Sequence, residues 1–277
     1  MKPRIVLLLS TFPQISETFI VQKFVGLVDA GWDVRIACAG FSEKAWLAYE
    51  SLRARPDLRT RVRQSPPSRS KLMAALLLIP VLTYTLLVSP QHAIRYLRRG
   101  WRERRWGVFR NFYLDAAIIQ GQPDLLHFEF GTLAVGREYL GEWLGCKTVI
   151  SFRGYDLNFS GLDNPDYYTK VWRSADALHL LGSDLWQRAV RRGCPPDKLH
   201  ALIPPAIDST LFTPPARARV DVGTPERPLR ILSVGRLEWK KGYEFALQAV
   251  QQAVEPSVIL QGIGRQKAQH QRKSHRL

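Results

Sequence analysis

Short apolar runs of strand length recur along this chain, spaced so that one helix fits between most neighbours, and this rhythm limits the fold more than any other feature. The runs are residues 4–10, 34–39, 124–128, 147–152, 177–181, 199–203, 229–234 and 258–261. Amphipathic segments such as Phe19–Ala30 and Asp184–Arg192 lie between them. A strand that reads apolar throughout is covered on both faces, and crossover helices supply the cover. The pattern predicts an α/β protein with a parallel sheet and no internal repeat. A chain of 277 residues, 45% of them apolar, can build one large domain or two modest ones.

Punctuation divides the chain. Residues 213–228, TPPARARVDVGTPERP, are Pro-rich and short of large apolar side chains, so they read as a linker. The expected parts are a first domain over 1–212, the linker, an incomplete second domain over 229–264, and a basic, unstructured tail over 265–277. The N-terminal run Ile5–Leu9 is too short for a signal peptide and is followed by polar residues and Pro13, so it reads as a buried strand. Three scattered cysteines, Cys38, Cys146 and Cys194, favour neither a disulfide framework nor a zinc site and fit a reducing, cytoplasmic compartment. No metal is expected: the histidines show no ligand spacing.

The net charge of +16 is concentrated in three blocks. Residues 53–71 carry seven Lys/Arg and one Asp, residues 91–110 seven Arg and one Glu, and residues 265–277 five Lys/Arg and no acid. Residues 53–110 also break the strand–helix rhythm. Leu72–Ser89 contains no charge but holds Pro80 at its middle. A single membrane crossing would put strands of one sheet on opposite sides, and the arginines after it are too many to cross back. Ile94, Leu97, Trp101 and Val108 fall at near-helical spacing beside Arg95, Arg98, Arg99, Arg102 and Arg105, which describes a helix on an anionic membrane surface. The alternative is an apolar helix in the domain core with a solvated basic helix next to it. The basic total also raises a nucleic-acid-binding protein, but the charge sits beside an apolar helix that nucleic acid would not need, and no recognised motif is present.

The segment Ile231–Gly242, ILSVGRLEWKKG, reads as a strand, a tight turn and a helix start. Phosphoryl oxygens want backbone N–H donors, a helix dipole and cations. Gly235 permits the turn, Arg236 can donate a bidentate fork, Lys241 is a compact charge and Gly242 turns the chain into the next helix. A strand end followed by a solvated helix start would look the same.

The stretch SVGRLEWKKGYEFALQAV resembles the donor-domain signature of retaining GT-B glycosyltransferases of family 4, in which the Arg and the second Lys hold the diphosphate of a sugar nucleotide. These are Arg236 and Lys241 here. STFPQISETFIVQKFVGLVDAGWDV resembles the first strand, loop and helix of the exopolysaccharide and colanic-acid branch of that family. DLLHFEFGTLAVG is similar to its H-x-H-F-G segment and KTVISFRGYDLN to its F-H-G-x-D segment. LLGSDLWQRAVRRGCPPDKLHALIPPAIDSTLF resembles the stretch ending in G-[VI]-D-x-x-x-F. The likeness covers about residues 4–250. It implies two Rossmann-like GT-B domains, an N-terminal one for the acceptor and a C-terminal one for the nucleotide sugar. The implied reaction is sugar transfer with retention to a lipid-linked or polysaccharide acceptor at the cytoplasmic face of the membrane.

Three departures matter. The His of F-H-G-x-D is Arg153, which cannot act as a base. The second His of H-x-H-F-G is Glu129. The family's E-x7-E motif has no counterpart, since Glu244 and Glu255 are the only acids after Lys241 and 35 residues follow Gly242. The expectation is a C-terminally truncated copy, weakly active or inactive, or a membrane- and acceptor-binding remnant. Candidate catalytic residues are His127, Arg153 and Asp156, and candidate substrate contacts are Glu17, Thr18, Glu129 and Gly154. For Asp156 and Glu129 the alternative is loop capping. For Glu17 and Thr18 it is helix entry, with Ser16 as the cap.

Overall fold

A computed structural model describes residues 2–67, 70–205, 229–236, 239–253 and 258–265. The chain divides into two compact units, Met1–Ile207 and Asp208–Leu277. The first holds seven strands: β1 (Arg4–Phe12), β2 (Asp33–Phe41), β3 (Val62–Gln64), β4 (Leu125–Phe128), β5 (Lys147–Phe152), β6 (Ala177–Leu180) and β7 (His200–Leu202). They form one parallel sheet in the order β3-β2-β1-β4-β5-β6-β7. The second unit holds β8 (Leu229–Arg236), the helix Tyr243–Ala253 and β9 (Val258–Arg265), with β8 and β9 parallel from Leu229↔Val258 to Arg236↔Arg265. This is the α/β class with a parallel sheet that the strand rhythm predicts and the Rossmann-like kind that the resemblance implies, and each of the eight expected strands is present. The sequence missed β3, whose three residues, VRQ, include a single apolar side chain.

Two boundaries are corrected. β9, expected over 258–261, continues to Arg265, a residue expected in the unstructured tail, because β8 offers backbone partners as far as Arg236. The segment 91–110, expected as one helix, is two, Pro90–Arg104 and Gly107–Gly121. The break falls at Arg105, whose φ is 50°, and Val108 beyond it is core rather than surface. The expected linker 213–228, Asp208 of the stretch that resembles G-[VI]-D-x-x-x-F, and the tail beyond Arg265 lie outside the described residues.

Period-two alternation assigns the sheet faces. Val6 and Leu8 of β1 share one face with Leu126 and Phe128 of β4, Ile150 and Phe152 of β5, and Leu178 and Leu180 of β6, all buried in one core. Leu7 and Leu9 face the other way and pack with Ile36 and Cys38 of β2 and Phe24 of the helix Thr18–Asp29 in a second core. On that second face the same register puts His127, Ser151 and His179 in β4, β5 and β6. The face is therefore apolar under β1 and β2 and polar under β4 to β6.

The helices Lys71–Val88, Pro90–Arg104 and Gly107–Gly121 lie outside the sheet rhythm and are tied to the larger core. Leu82, Leu86 and Leu97 pack against it. Gln120 Nε2 donates to buried Thr85 Oγ1 at 2.8 Å, and Tyr96 Oη donates to buried Asp115 at 2.8 Å. Tyr139 Oη gives the same Asp115 oxygen a second bond at 2.6 Å. Among the described residues no helix is long and apolar enough to cross a membrane.

Candidate functional site

The strand order reverses between β1, which leads to β2 and β3, and β4, which leads to β5, β6 and β7. Open α/β sheets bind ligands at the carboxyl ends of the strands at such a reversal. Glu129 stands there, one residue past β4, its N–H donating to Leu8 O of β1 at 3.2 Å. Arg153 stands one residue past β5 as the cap residue of the helix Gly154–Asn158. The helix Thr18–Asp29 brings Phe19 and Lys23 over both.

These side chains form one network. Glu129 is fully buried and receives Lys23 Nζ at 2.6 Å on Oε1 and Arg153 Nη2 at 3.2 Å on Oε2. The Arg153 guanidinium also lies over the Phe19 ring at 4.1 Å and the Phe130 ring at 5.3 Å. A buried carboxylate between two cations is held chiefly by charge, so removing it leaves both cations unpaired.

A second chain starts at Lys23. His179 Nε2 lies 3.0 Å from Ile203 O, an acceptor, so that nitrogen carries the proton and Nδ1 accepts. Ser151 Oγ, 2.7 Å from His179 Nδ1, therefore donates to it. Ser151 in turn accepts from His127 Nε2 at 2.8 Å, leaving His127 Nδ1 to accept from Lys23 Nζ at 3.2 Å. The hydrogen-bond partners thus assign both tautomers. His127 has no uncommitted lone pair while Lys23 is charged.

Burial, opposed by Glu129 and helped by Lys23, pushes the His127 imidazole down to about 3. Burial also lowers His179 and His92. Burial would raise Glu129, but the basic groups around it, His127, Lys23 and Arg153, outweigh it and hold the carboxyl low. The sign of the linkage follows. Below the ordinary histidine value of 6.5 the unfolded chain binds more protons than the folded one. Stability is therefore expected to fall as pH drops from about 6.5 toward 3. His127→Gln, whose amide can still donate to Ser151 and accept from Lys23, is expected to flatten that slope. Urea unfolding at a series of pH values measures it, and an unchanged slope would remove His127 from the account.

Of the expected site residues, the structure brings His127, Glu129, Arg153 and Glu17 together. Burial raises the Glu17 carboxyl, with Arg153 opposing. Asp156 stands in the first turn of the helix that Arg153 caps. It is fully buried, and its oxygens accept from Arg153 N at 2.9 Å and Thr132 N at 3.0 Å, which ties the starts of two short helices together. Glu129 is likewise engaged on both carboxylate oxygens, by Lys23 and Arg153. Gly154 opens the helix that Arg153 caps, and Thr18 is exposed at the start of its own helix. Ser16 does not cap that helix: the cap residue is Glu17, and no side chain bonds there, because Glu17 accepts from Gln14 Nε2 at 3.1 Å instead. Sequence reasoning missed Lys23, Ser151 and His179. Lys23 had a signal, a charge at helical spacing between the apolar Phe19 and Leu27; the other two had none.

A cavity of about 720 Å³ opens beside the network, lined by Phe19, Lys23, His127, Arg153, His179 and Ile203 among others. A larger groove of about 1100 Å³, with Lys2, Arg4 and Asp124 on its wall, lies at the opposite, amino end of β1. The first has the charged side chains at a strand-order reversal and is the better candidate.

In the second unit, Gly235 is the penultimate residue of β8 and a 3-10 turn over Trp239–Lys241 leads to Gly242, whose φ is +63°. A Cβ on Gly235 would stand 2.6 Å from Tyr243 Oη and 3.9 Å from Lys241 Cε, so the tyrosine and the exposed lysine close over this glycine. The structure thus brings Gly235, Lys241 and Gly242 together. For Arg236 it describes the backbone, the last residue of β8.

No protein-family model matches the chain. A protein of Escherichia coli named as a colanic acid biosynthesis glycosyltransferase is 30% identical over 91% of this chain and 62% of its own length. The amylovoran biosynthesis glycosyltransferase of Erwinia amylovora is 25% identical over 86% of this chain and 58% of its own. Among solved structures, sucrose-phosphate synthase from Thermosynechococcus elongatus shares the fold with a TM-score of 0.52 at 16% identity, covering 98% of this chain and 64% of that one. A glycosyltransferase from Rickettsia africae does so with a TM-score of 0.50 at 10% identity, covering 94% and 68%. This chain has an α/β fold found in glycosyltransferases, is similar along about nine-tenths of its length to two named for polysaccharide biosynthesis, and spans about three-fifths of theirs.

Proposed function

We propose that this chain serves the transfer of a sugar from a nucleoside-diphosphate donor to a hydroxyl of a lipid-linked or polysaccharide acceptor, with the anomeric configuration retained, at the cytoplasmic face of a membrane. The observation that carries the reading is the 30% identity, over 91% of the chain, to a relative named as a colanic acid biosynthesis glycosyltransferase. The geometry fits it. The seven-stranded unit offers the acceptor a cavity at the strand-order reversal, with the Arg153 cation between two aromatic rings at its edge. In this reading the turn after β8 takes the diphosphate: backbone N–H groups around Gly235 and Gly242 donate, and Arg236 and Lys241 balance the charge that develops as the diphosphate leaves. No metal is called for. Arg153 stays protonated and His127 is locked between Lys23 and Ser151, so both hold and orient rather than remove a proton.

Titration of UDP and GDP into the purified chain tests the reading. Micromolar binding of one of them is expected. Lys241→Ala and Arg236→Ala should each weaken it about tenfold or more, the worth of a charge-assisted hydrogen bond. Arg153→Ala should leave nucleotide affinity unchanged. Millimolar or absent binding, with no hydrolysis of sugar nucleotides, would overturn the proposal.

A further inference from the structure

The helix Lys71–Val88 has no polar face. It contains no charged residue after Lys71, and 18 residues make it about 27 Å long. One side is used: Leu82 and Leu86 pack on the core, and Thr85 is buried in its bond with Gln120. The other side is in the open, with Leu72 72%, Leu76 71%, Ile79 72% and Leu87 77% exposed, and Met73 and Tyr84 also exposed. A surface helix of a water-soluble protein turns charges outward, as Ser183–Arg191 does here with Asp184, Arg188 and Arg191. A row of large apolar side chains one to five residues apart along five turns marks an interaction surface.

The next helix, Pro90–Arg104, indicates what covers it. Ala93, Tyr96 and Gly100 are its buried side. Its outer side carries Arg98 and Arg102, followed by Arg105. All three are exposed, with no ion pair or side-chain hydrogen bond among the described residues. Trp101 and Trp106 are exposed as well, packed edge to face at 5.1 Å with Phe109 against both. Uncompensated arginines next to tryptophans and an apolar row match the layers of one partner, an anionic bilayer: phosphates, interface and acyl chains. A second copy of this chain docked face to face would bring the same arginines against each other. Nucleic acid would satisfy the arginines and leave the leucines in water.

We infer that the outer face of Lys71–Val88 lies in the plane of an anionic lipid bilayer, sunk among the acyl chains, with Arg98, Arg102 and Arg105 on the lipid phosphates and Trp101 and Trp106 at the boundary. The inference does not depend on the sugar-transfer reading and can fail or hold separately from it.

Flotation of the full chain with phosphatidylcholine vesicles, with and without phosphatidylglycerol, tests it. Binding is expected, stronger with phosphatidylglycerol, and tryptophan emission should be quenched by brominated acyl chains. Leu76→Glu with Ile79→Glu should lower partitioning tenfold or more while leaving the unfolding midpoint unchanged, because both side chains already face solvent. Arg98→Gln and Arg102→Gln should each lower it about fivefold on phosphatidylglycerol vesicles and little on neutral ones. Absence of vesicle binding by the unmodified chain would overturn the inference. So would binding indifferent to the two glutamates, a dimer in sedimentation that those glutamates dissociate, or tighter binding to duplex DNA than to vesicles at matched salt.

Discussion

Replacing Glu129 by alanine is expected to destabilise the seven-stranded unit by about 3–5 kcal/mol, the usual cost of removing one member of a buried ion pair. Glu129 is fully buried and is the carboxylate that both Lys23 and Arg153 touch. Without it, two cations crowd the mouth of a largely apolar cavity, with half-buried Glu17 as their nearest relief. Lys23→Met should cost much less than Glu129→Ala, because Glu129 keeps Arg153 and the charges still balance. Urea unfolding followed by circular dichroism measures both. A Glu129→Ala loss below about 1 kcal/mol would mean that water reaches the cations freely and that the cluster is a surface ion pair.

The second large effect is expected at Gly131, the glycine of the stretch that resembles H-x-H-F-G. A Cβ there would lie 2.3 Å from Cε1 and 2.6 Å from Cδ1 of Phe152. That ring has no room to yield: it is fully buried, with Tyr168 at 5.1 Å and Trp172 at 4.5 Å between centroids. Gly131→Ala should therefore destabilise the unit by about 1–3 kcal/mol or more, as overpacking does, and displace the Glu129–Phe130 segment that carries the site. Phe152→Leu in the same chain should recover part of the loss, so the pair should be less than additive. Strict additivity would show that the ring and the glycine do not press on each other. The glycine is thus required by close packing; its φ is not positive.

Local sequence was a sound guide to the elements. Strand runs and helix faces depend on neighbours within a few residues, and such periodicity is printed in the chain itself. β3 escaped because a three-residue edge strand is held by its partner β2 rather than by any pattern of its own. For residues 72–110 the core-helix reading describes one side of Lys71–Val88, where Leu82 and Leu86 pack, while the other side is exposed. Composition shows that a helix is apolar all round, but not which side the rest of the chain will cover.

The site was half legible. Motif resemblance pointed to His127, Glu129, Arg153 and Asp156, and these do stand at the ends of β4 and β5 or just beyond. What each touches depends on partners far away in sequence. Lys23, 106 residues from Glu129, turns that glutamate into an internal counter-ion. Thr132 and the backbone of Arg153 absorb Asp156. Ser151 and His179 decide which nitrogen of His127 holds the proton. The sequence by itself determined the class of fold, the order of its elements and the glycines and charges at its turns, because those follow from short-range geometry. Only the tertiary structure decided which charges are paired, which apolar face is left uncovered and which side chain can meet a ligand, because pairing and burial depend on strand register and on contacts between segments that no local pattern encodes.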